Sequence, residues 1–275
     1  MNIELHGKTA FAYTGGKLFD PARPCVVLIH GALNDHSVWG LQSRYLAHHG
    51  WSVLAVDLPG HGRSAGPALP DVQACARWVV DWLDALGAPR AALVGHSMGS
   101  LIALEAAAAL GERATHLGLV GTAYPMKVSP ALLETAARDP WRAIDMVNAF
   151  SHSTLAPKPA APGPGSWVPG ASRALMRRLQ TLYAQREGGA NLFLHDFQVC
   201  DRYEGAWEAA ARVKCPVQLI LGRKDQMTSP KAAAELRERL HATVAWIEAG
   251  HSLMAEAPDD VLNALKALLS SRTPS

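Results

Sequence analysis

Short runs of apolar residues alternate with longer amphipathic stretches along most of the chain. Each run is four or five residues long and rich in Val, Leu, Ile or Ala, as in strands that are buried on both faces. These predicted strands cover residues 25–29, 52–56, 91–94, 117–120, 217–221 and 244–247. Predicted helices between and after them cover residues 38–49, 72–86, 98–110, 230–240 and 258–269.

Alternation of this kind indicates a parallel sheet with helices on both faces. Right-handed crossovers bring the carboxyl ends of the parallel strands to one edge, where sites in such folds are built. We expect residues 3–13 to add an antiparallel hairpin. The predicted fold class is therefore α/β, with a mostly parallel central sheet.

The alternation stops between the strand at 117–120 and the strand at 217–221. Amphipathic patches there predict helices at residues 131–150, 171–184 and 192–203. A connector rich in Pro and Gly, residues 157–170, has a composition that excludes a regular helix or a sheet interior. A flexible linker is one interpretation, but the helices on both sides favour a helical cap folded over the sheet edge. The predicted division is a core of residues 1–121 and 208–275, with a cap of residues 122–207 inserted after the sixth strand.

Composition and charge narrow the class of protein. With 49% hydrophobic residues among 275, the chain can bury the core of one large domain. The formal net charge is only +2 and the basic residues are scattered, which argues against a nucleic-acid partner. No apolar run reaches membrane-spanning length, and the N-terminus lacks the pattern of a signal peptide, so we expect a cytoplasmic protein that does not bind a membrane. The sequence does not indicate an oligomeric state.

The cysteines and histidines do not follow metal-binding spacings. There is no CxxC pair and no HExxH motif. We expect no metal and no cofactor, and ordinary reduced thiols. The cysteines concerned are Cys25, Cys75, Cys200 and Cys215.

The segment LVGHSMGSL places a serine where a predicted strand meets a predicted helix. Gly95, Ser97 and Gly99 satisfy G-x-S-x-G in a strand–turn–helix context, where the serine adopts a strained backbone and its hydroxyl projects above the sheet. Glycines are needed on both sides because larger side chains would collide with neighbouring elements. The alternative role of Ser97 is a helix N-cap, and a motif this short does not decide between the two.

This segment resembles the nucleophile elbow of the α/β-hydrolase superfamily, whose triad follows the order Ser, acid, His. Asp225 comes just after the strand at 217–221 and His251 just after the strand at 244–247, so both are expected at the edge where Ser97 lies. The resemblance thus implies a triad of Ser97, Asp225 and His251. An Asx turn and an exposed loop histidine are the alternative roles of the last two, and Asp57 and Asp35 are rival acids.

Backbone N–H groups must stabilise the oxyanion that forms when a carbonyl is attacked. Met98, directly after the serine, is expected to supply one of them. The resemblance implies Ala32 as the second, with Leu33 as the neighbouring alternative. The histidines near the site are expected to order their loops by hydrogen bonding. They are His30, His61 and His96.

The resemblance implies hydrolysis of a carboxylic ester, lactone or thioester of a small molecule through an acyl-serine. The apolar residues expected around the site indicate an acyl group that is small to medium and mainly apolar. Serine as nucleophile argues against the haloalkane dehalogenases and epoxide hydrolases of this superfamily, which use aspartate. A cofactor-free C–C bond hydrolase or lyase is the alternative, and a ligand sensor is a third hypothesis. The expected substrate-binding residues are Leu33, Met126, Trp167 and Leu253, and the cations that could reach a substrate carboxylate are Lys127 and Arg173.

Overall fold

One eight-stranded sheet organises the molecule, in a computed structural model that describes residues 1–154 and 167–271. Its strands are β1 (Asn2–Leu5), β2 (Lys8–Tyr13), β3 (Cys25–Ile29), β4 (Ser52–Asp57), β5 (Ala91–His96), β6 (Ala114–Val120), β7 (Val217–Gly222) and β8 (Thr243–Ile247). They lie in the order β1-β2-β4-β3-β5-β6-β7-β8. The hairpin β1–β2 and the β2–β4 pair are antiparallel and the other pairs are parallel. The predicted α/β fold with a mostly parallel sheet is confirmed.

The helices pack either on the two faces of this sheet or in a separate layer. They are α1 (Gly40–His48), α2 (Val72–Ala85), α3 (Met98–Leu110), α4 (Pro130–Arg138), α5 (Pro140–Phe150), α6 (Val168–Arg186), α7 (Leu192–Arg202), α8 (Ala206–Ala210), α9 (Ala234–Arg239), α10 (Leu253–Glu256) and α11 (Pro258–Leu269). Successive residues of β3 belong to opposite apolar clusters, because side chains alternate along a strand. Val27 packs in the cluster that contains α2 and α3, whereas Val26 and Leu28 pack with α1 and α11.

Five helices of the described residues, α4 to α8, lie between β6 and β7 along the chain. We call the first four, α4 to α7, the helical layer. Their apolar faces form a separate cluster that includes Ile144, Met176 and Phe193. Leu33, from the loop after β3, is the fully buried residue of the main body that joins it. A cap formed by residues 122–207 stays a prediction.

The predicted helix at 131–150 is wrong in one respect, since it is broken into α4 and α5 at Asp139. A residue before proline disfavours the helical conformation, and Pro140 follows Asp139 directly. The Asp139 side chain instead accepts hydrogen bonds from the backbone of Trp141 and Arg142 and so caps α5. Sequence patterns also missed the short helices α8 and α10.

The predicted connector at 157–170 falls mostly outside the described residues. Its last residues, from Val168, already belong to α6, with Pro169 in the first turn, where a missing N–H breaks no helical hydrogen bond. No helix in the described parts of the chain is long and apolar enough to cross a membrane. All four cysteines are buried and free.

Candidate active site

Ser97 forms the sharp turn between β5 and α3. Its φ of 53° and ψ of −121° lie in a region that L residues rarely adopt. A Cβ on Gly95 would lie 1.9 Å from the carbonyl oxygen of Gly99, and a Cβ on Gly99 would lie 2.5 Å from that of Ile29. The turn therefore needs both glycines. The serine side chain makes no capping hydrogen bond, so the N-cap alternative lacks its defining contact.

Ser97 and His251 line the same cavity, which has a volume of about 570 Å³. Both residues contact the end of β6, at Val120 and Gly121. The Ser97 amide donates to Val120 at 2.9 Å, and a Cβ on Gly121 would lie 3.4 Å from the His251 ring. No hydrogen bond joins the Ser97 hydroxyl to the His251 ring in the described chain. Catalytic hydrogen bonds are often long in the absence of substrate and tighten when it binds.

A buried carboxylate orients the His251 ring. His251 Nδ1 lies 2.8 Å from Asp225 Oδ2, while Asp225 Oδ1 accepts the amides of Met227 and Thr228 at 2.8 and 2.9 Å. Burial alone would raise the pKa of Asp225, but the charge and hydrogen bond of His251, with the hydrogen bonds from Thr228, outweigh it and lower that pKa. The ionised carboxylate accepts a hydrogen bond from the Nδ1–H group, so the proton stays on Nδ1 and Nε2 is free to act as a base. His251 is 8% exposed, so it is not an exposed loop histidine.

Two backbone N–H groups are available beside Ser97. Met98 is the first residue of α3, so its N–H has no partner inside the helix. Ala32 lines the cavity. The N–H of Leu33 donates to Asp196 Oδ2 at 2.8 Å and is thereby engaged away from a substrate. This contact favours Ala32 over Leu33 as the second oxyanion donor.

The rival acids serve the backbone of nearby loops. Asp57 accepts hydrogen bonds from the amide and the ring Nδ1 of His36 at 2.7 and 2.8 Å, and from the amide of Arg63 at 2.8 Å. Asp35 accepts from the amide of Ser37 at 2.9 Å and from Arg178 at 2.6 Å. Atoms of Asp35, His36 and Asp57 that could bind a metal ion lie within 4.8 Å of one another. Both carboxylates, however, already accept the hydrogen bonds described above.

Two further histidines are buried and neutral. His30 Nδ1 lies 2.8 Å from the carbonyl of Gly31, and its Nε2 accepts the amide of Leu58 at 3.1 Å. Burial lowers the pKa of His30 to about 4 and that of His96 to about 3. His96 Nε2 lies 2.8 Å from the carbonyl of His251. Both rings therefore hold loops around the cavity.

The predicted substrate-binding residues are not all at the cavity. Met126 lines it, but Leu33 and Leu253 are fully buried in apolar clusters and do not line it. Trp167 also lies off the cavity, half exposed and packed over Gly170. These three residues therefore lie away from the cavity, because an apolar residue near a motif in sequence can equally belong to the core.

The two predicted cations have other partners. Lys127 lines the cavity, and its Nζ donates to the carbonyl of Asp201 at 2.6 Å. Arg173 pairs with Asp145 at 2.6 Å and does not line the cavity. Among residues 1–154 and 167–271, Lys127 is the lysine or arginine that lines the cavity and could meet a substrate carboxylate.

Met126 was predicted from the sequence, but four further methionines that line the cavity were not. Five of the seven methionines line it, namely Met126, Met146, Met176, Met227 and Met254. No Asp or Glu of the described chain lines it. Met146 and Met176 lie in predicted cap helices, but a methionine there equally predicts simple helix packing. Methionine side chains are flexible and adapt to irregular apolar shapes.

Comparison with known proteins identifies related sequences and folds. Residues 24–258 match the family described as alpha/beta hydrolase fold. One relative is the pimeloyl-acyl-carrier-protein methyl ester esterase of Klebsiella pneumoniae, to which the chain is 34% identical over 119 residues. This match covers 43% of the chain and 41% of the relative. Another relative is the (E)-2-((N-methylformamido)methylene)succinate hydrolase of Acinetobacter baylyi, to which the chain is 37% identical over 78 residues. This match covers 28% of the chain and 29% of the relative. The chain thus matches less than half of the length of either relative.

A solved structure extends this similarity to the whole fold. The enol-lactonase from Burkholderia xenovorans LB400 has a TM-score of 0.78 and covers 98% of this chain and 100% of its own. Its sequence is 20% identical, so the likeness shows the fold and does not by itself assign a reaction.

Proposed function

Because the chain belongs to the alpha/beta hydrolase fold family, we propose that it is a serine hydrolase that cleaves a carboxylic ester, lactone or thioester. The observation that carries this is the 2.8 Å contact between Asp225 and His251, at the cavity that Ser97 lines from a strained turn. A serine hydroxyl is a weak nucleophile near neutral pH and needs such a base. Named relatives that act on a methyl ester and as a hydrolase support the same class.

In the proposed reaction, Ser97 Oγ attacks the carbonyl carbon while His251 Nε2 takes the hydroxyl proton. Asp225 stabilises the resulting imidazolium. The oxyanion accepts hydrogen bonds from the N–H groups of Ala32 and Met98, and the positive end of α3 also favours the negative charge. His251 then gives its proton to the leaving oxygen or sulfur. A water molecule, activated by the same ring, hydrolyses the acyl-serine and restores the enzyme.

The acyl group is proposed to be small to medium and mainly apolar. The cavity is lined mostly by aliphatic, methionine and phenylalanine side chains. Serines and Thr228 add hydroxyl groups, and Asn34 and Gln226 add amide groups. A volume of about 570 Å³ is within the range of pockets that enclose a whole small molecule. All four helices of the helical layer contribute lining residues, which supports the proposal that residues 122–207 form a cap over the site. A cytoplasmic location stays a prediction.

Covalent labelling tests this function directly. We expect p-nitrophenyl esters to give a burst of p-nitrophenol, and an organophosphonate to add one phosphonyl group to Ser97, as read by peptide mass spectrometry. Ser97→Ala should lose the burst and the label, whereas Ser270→Ala, at an exposed serine after α11, should keep both. Turnover of a diketone with little ester turnover would instead favour the C–C hydrolase. Ligand-induced thermal stabilisation without turnover of any ester would favour a sensor.

A further inference from the structure

Asp196, in α7 of the helical layer, points into the main body of the molecule. Its side chain is 2% exposed. Oδ2 accepts hydrogen bonds from His61 Nε2 and from the amide of Leu33, both at 2.8 Å. Oδ1 lies 3.2 Å from His195 Nδ1. One carboxylate therefore joins three segments: the helical layer, the loop after β4 and the loop after β3.

The partner of this carboxylate is a cation. His61 Nε2 faces Asp196, and its Nδ1 lies 3.1 Å from the carbonyl oxygen of Pro59. Both neighbours can only accept hydrogen bonds, so both ring nitrogens carry protons. Burial alone would lower the pKa of His61, but the charge and hydrogen bond of Asp196 outweigh it and raise that pKa. Asp196 and His61 therefore form a buried ion pair. Removing either partner alone strongly destabilises a protein, because it leaves the other charge buried and unpaired.

The third member of this network, Leu33, directly follows the proposed oxyanion donor Ala32. Leu33 has a φ of 51°, which is unusual for a residue with a branched side chain. Its side chain is fully buried in the apolar cluster of the helical layer, and its N–H is held by Asp196. The backbone beside the oxyanion donor is thus fixed from the helical layer by packing and by one charge-assisted hydrogen bond.

We infer that Asp196 is a positioning residue for the oxyanion hole: paired with protonated His61, it holds the N–H of Leu33 and thereby fixes the direction of the N–H of Ala32. Asp196 does not line the cavity, so it acts through the loop and not on the substrate. The inference rests on the proposed function. If Asp196 has this role, the helical layer must be packed against the main body for the transition state to be stabilised, besides any role in covering the site.

The test compares two carbonyl acceptors. A thionoester, with sulfur in place of the carbonyl oxygen, is a poor hydrogen-bond acceptor and gains less from an oxyanion hole than the matching oxygen ester. We expect Asp196→Asn and Asp196→Ala to lower kcat for the oxygen ester by roughly 10- to 100-fold and to lower kcat for the thionoester much less. KM should change little. Asp145→Asn is the matched control, since Asp145 belongs to the same layer but pairs with Arg173 at the surface.

A purely structural ion pair would give a different result. In that case both variants would lose thermal stability, while the ratio of oxygen-ester to thionoester kcat stayed at the wild-type value, and the inference would be wrong. If the Asp196 variants do not fold, His61→Gln keeps a donor towards Asp196 and should shift the same ratio in the same direction by a smaller factor. An unshifted ratio there would equally overturn the inference.

Nuclear magnetic resonance tests the pair without any variant. We expect the imidazole nitrogens of His61 to show the chemical shifts of a doubly protonated ring at neutral pH, and the amide proton of Leu33 to be shifted downfield by the carboxylate. A neutral His61 would remove the basis of the inference. If the wild-type enzyme hydrolyses no ester, the proposed function fails and the positioning role fails with it. Normal hydrolysis with an unshifted ratio in the variants would reject the positioning role alone.

Discussion

Thr228 holds the carboxylate of Asp225 from both sides: its amide nitrogen lies 2.9 Å from Oδ1 and its hydroxyl oxygen lies 2.7 Å from Oδ2. The same hydroxyl oxygen lies 3.0 Å from the carbonyl of Gly121 and 3.2 Å from His251 Nδ1. Asp225 is therefore the first residue of an Asx turn and the partner of His251 at once. The Asx turn thus orients the Asp225 carboxylate, and the carboxylate in turn orients the His251 ring.

Replacing Thr228 with Val removes the hydroxyl and keeps the amide and the side-chain shape. We expect about 1–2 kcal/mol lower unfolding free energy at neutral pH, and a higher pKa of Asp225, because a hydrogen bond to its charged form is lost. A lowered carboxylate pKa contributes stability above the unfolded value of about 4, and this is lost as pH falls through the folded pKa. The stability gap between wild type and Thr228→Val should therefore narrow as pH falls. Urea denaturation from pH 7 to pH 3 measures this, with Thr228→Ser as control; a constant gap would contradict it.

Asparagine substitutions separate the proposed acid from its rival. In Asp225→Asn, an uncharged amide replaces the carboxylate that accepts the hydrogen bond from His251 Nδ1–H and stabilises the imidazolium. We therefore expect kcat to fall roughly 10⁴-fold with little change in KM. Asp57→Asn disturbs the hydrogen bonds to His36 and Arg63, so it should lower the melting temperature and leave kcat of the folded enzyme nearly unchanged. Steady-state kinetics with thermal denaturation distinguishes the two. Equal losses of kcat in both variants would count against Asp225 as the acid.

The sheet and the elbow were predictable because their signals are local or periodic. Apolar runs located the parallel strands, and the carboxyl ends of such strands meet at one edge whatever the loops between them do. That rule, together with the Ser, acid, His order that the resemblance implies, predicted that Asp225 and His251, from loops after β7 and β8, would lie near Ser97. Gly95 and Gly99 could be read from the motif because the turn leaves no space for a Cβ at either position.

Residues that act through tertiary contacts could not be predicted in this way. Asp196 sits in an amphipathic helix, where an acidic residue ordinarily faces solvent, and nothing local indicates that it reaches His61 and Leu33. For the same reason, the sequence could not show that Leu33 and Leu253 pack in apolar clusters away from the cavity. Apolar side chains beside a motif pack into the core or line a cavity with the same sequence pattern, and only the packing of distant helices decides between these.

Substitution of Met176 tests whether the cavity holds the acyl group. This residue is 4% exposed and lines the cavity from α6. Met176→Trp should fill part of the space, so kcat/KM should fall by about tenfold or more for longer acyl esters, equivalent to roughly 1.4 kcal/mol, and change little for acetyl esters. Met176→Leu keeps the volume and serves as control. A uniform loss across a series of acyl lengths would mean that the acyl group binds elsewhere.

The backbone at Ser97 predicts that activity and stability oppose each other at this position. A residue with a Cβ is strained by about 1–3 kcal/mol in such a conformation, whereas glycine tolerates positive φ. Ser97→Gly should therefore raise the unfolding free energy above that of Ser97→Ala, which keeps the Cβ and so the strain. Both variants lack the hydroxyl and should be equally inactive, so the comparison isolates the backbone. In a relaxed turn, glycine would instead be the less stable variant, because it gains more conformational entropy on unfolding; urea denaturation of the two variants distinguishes these outcomes.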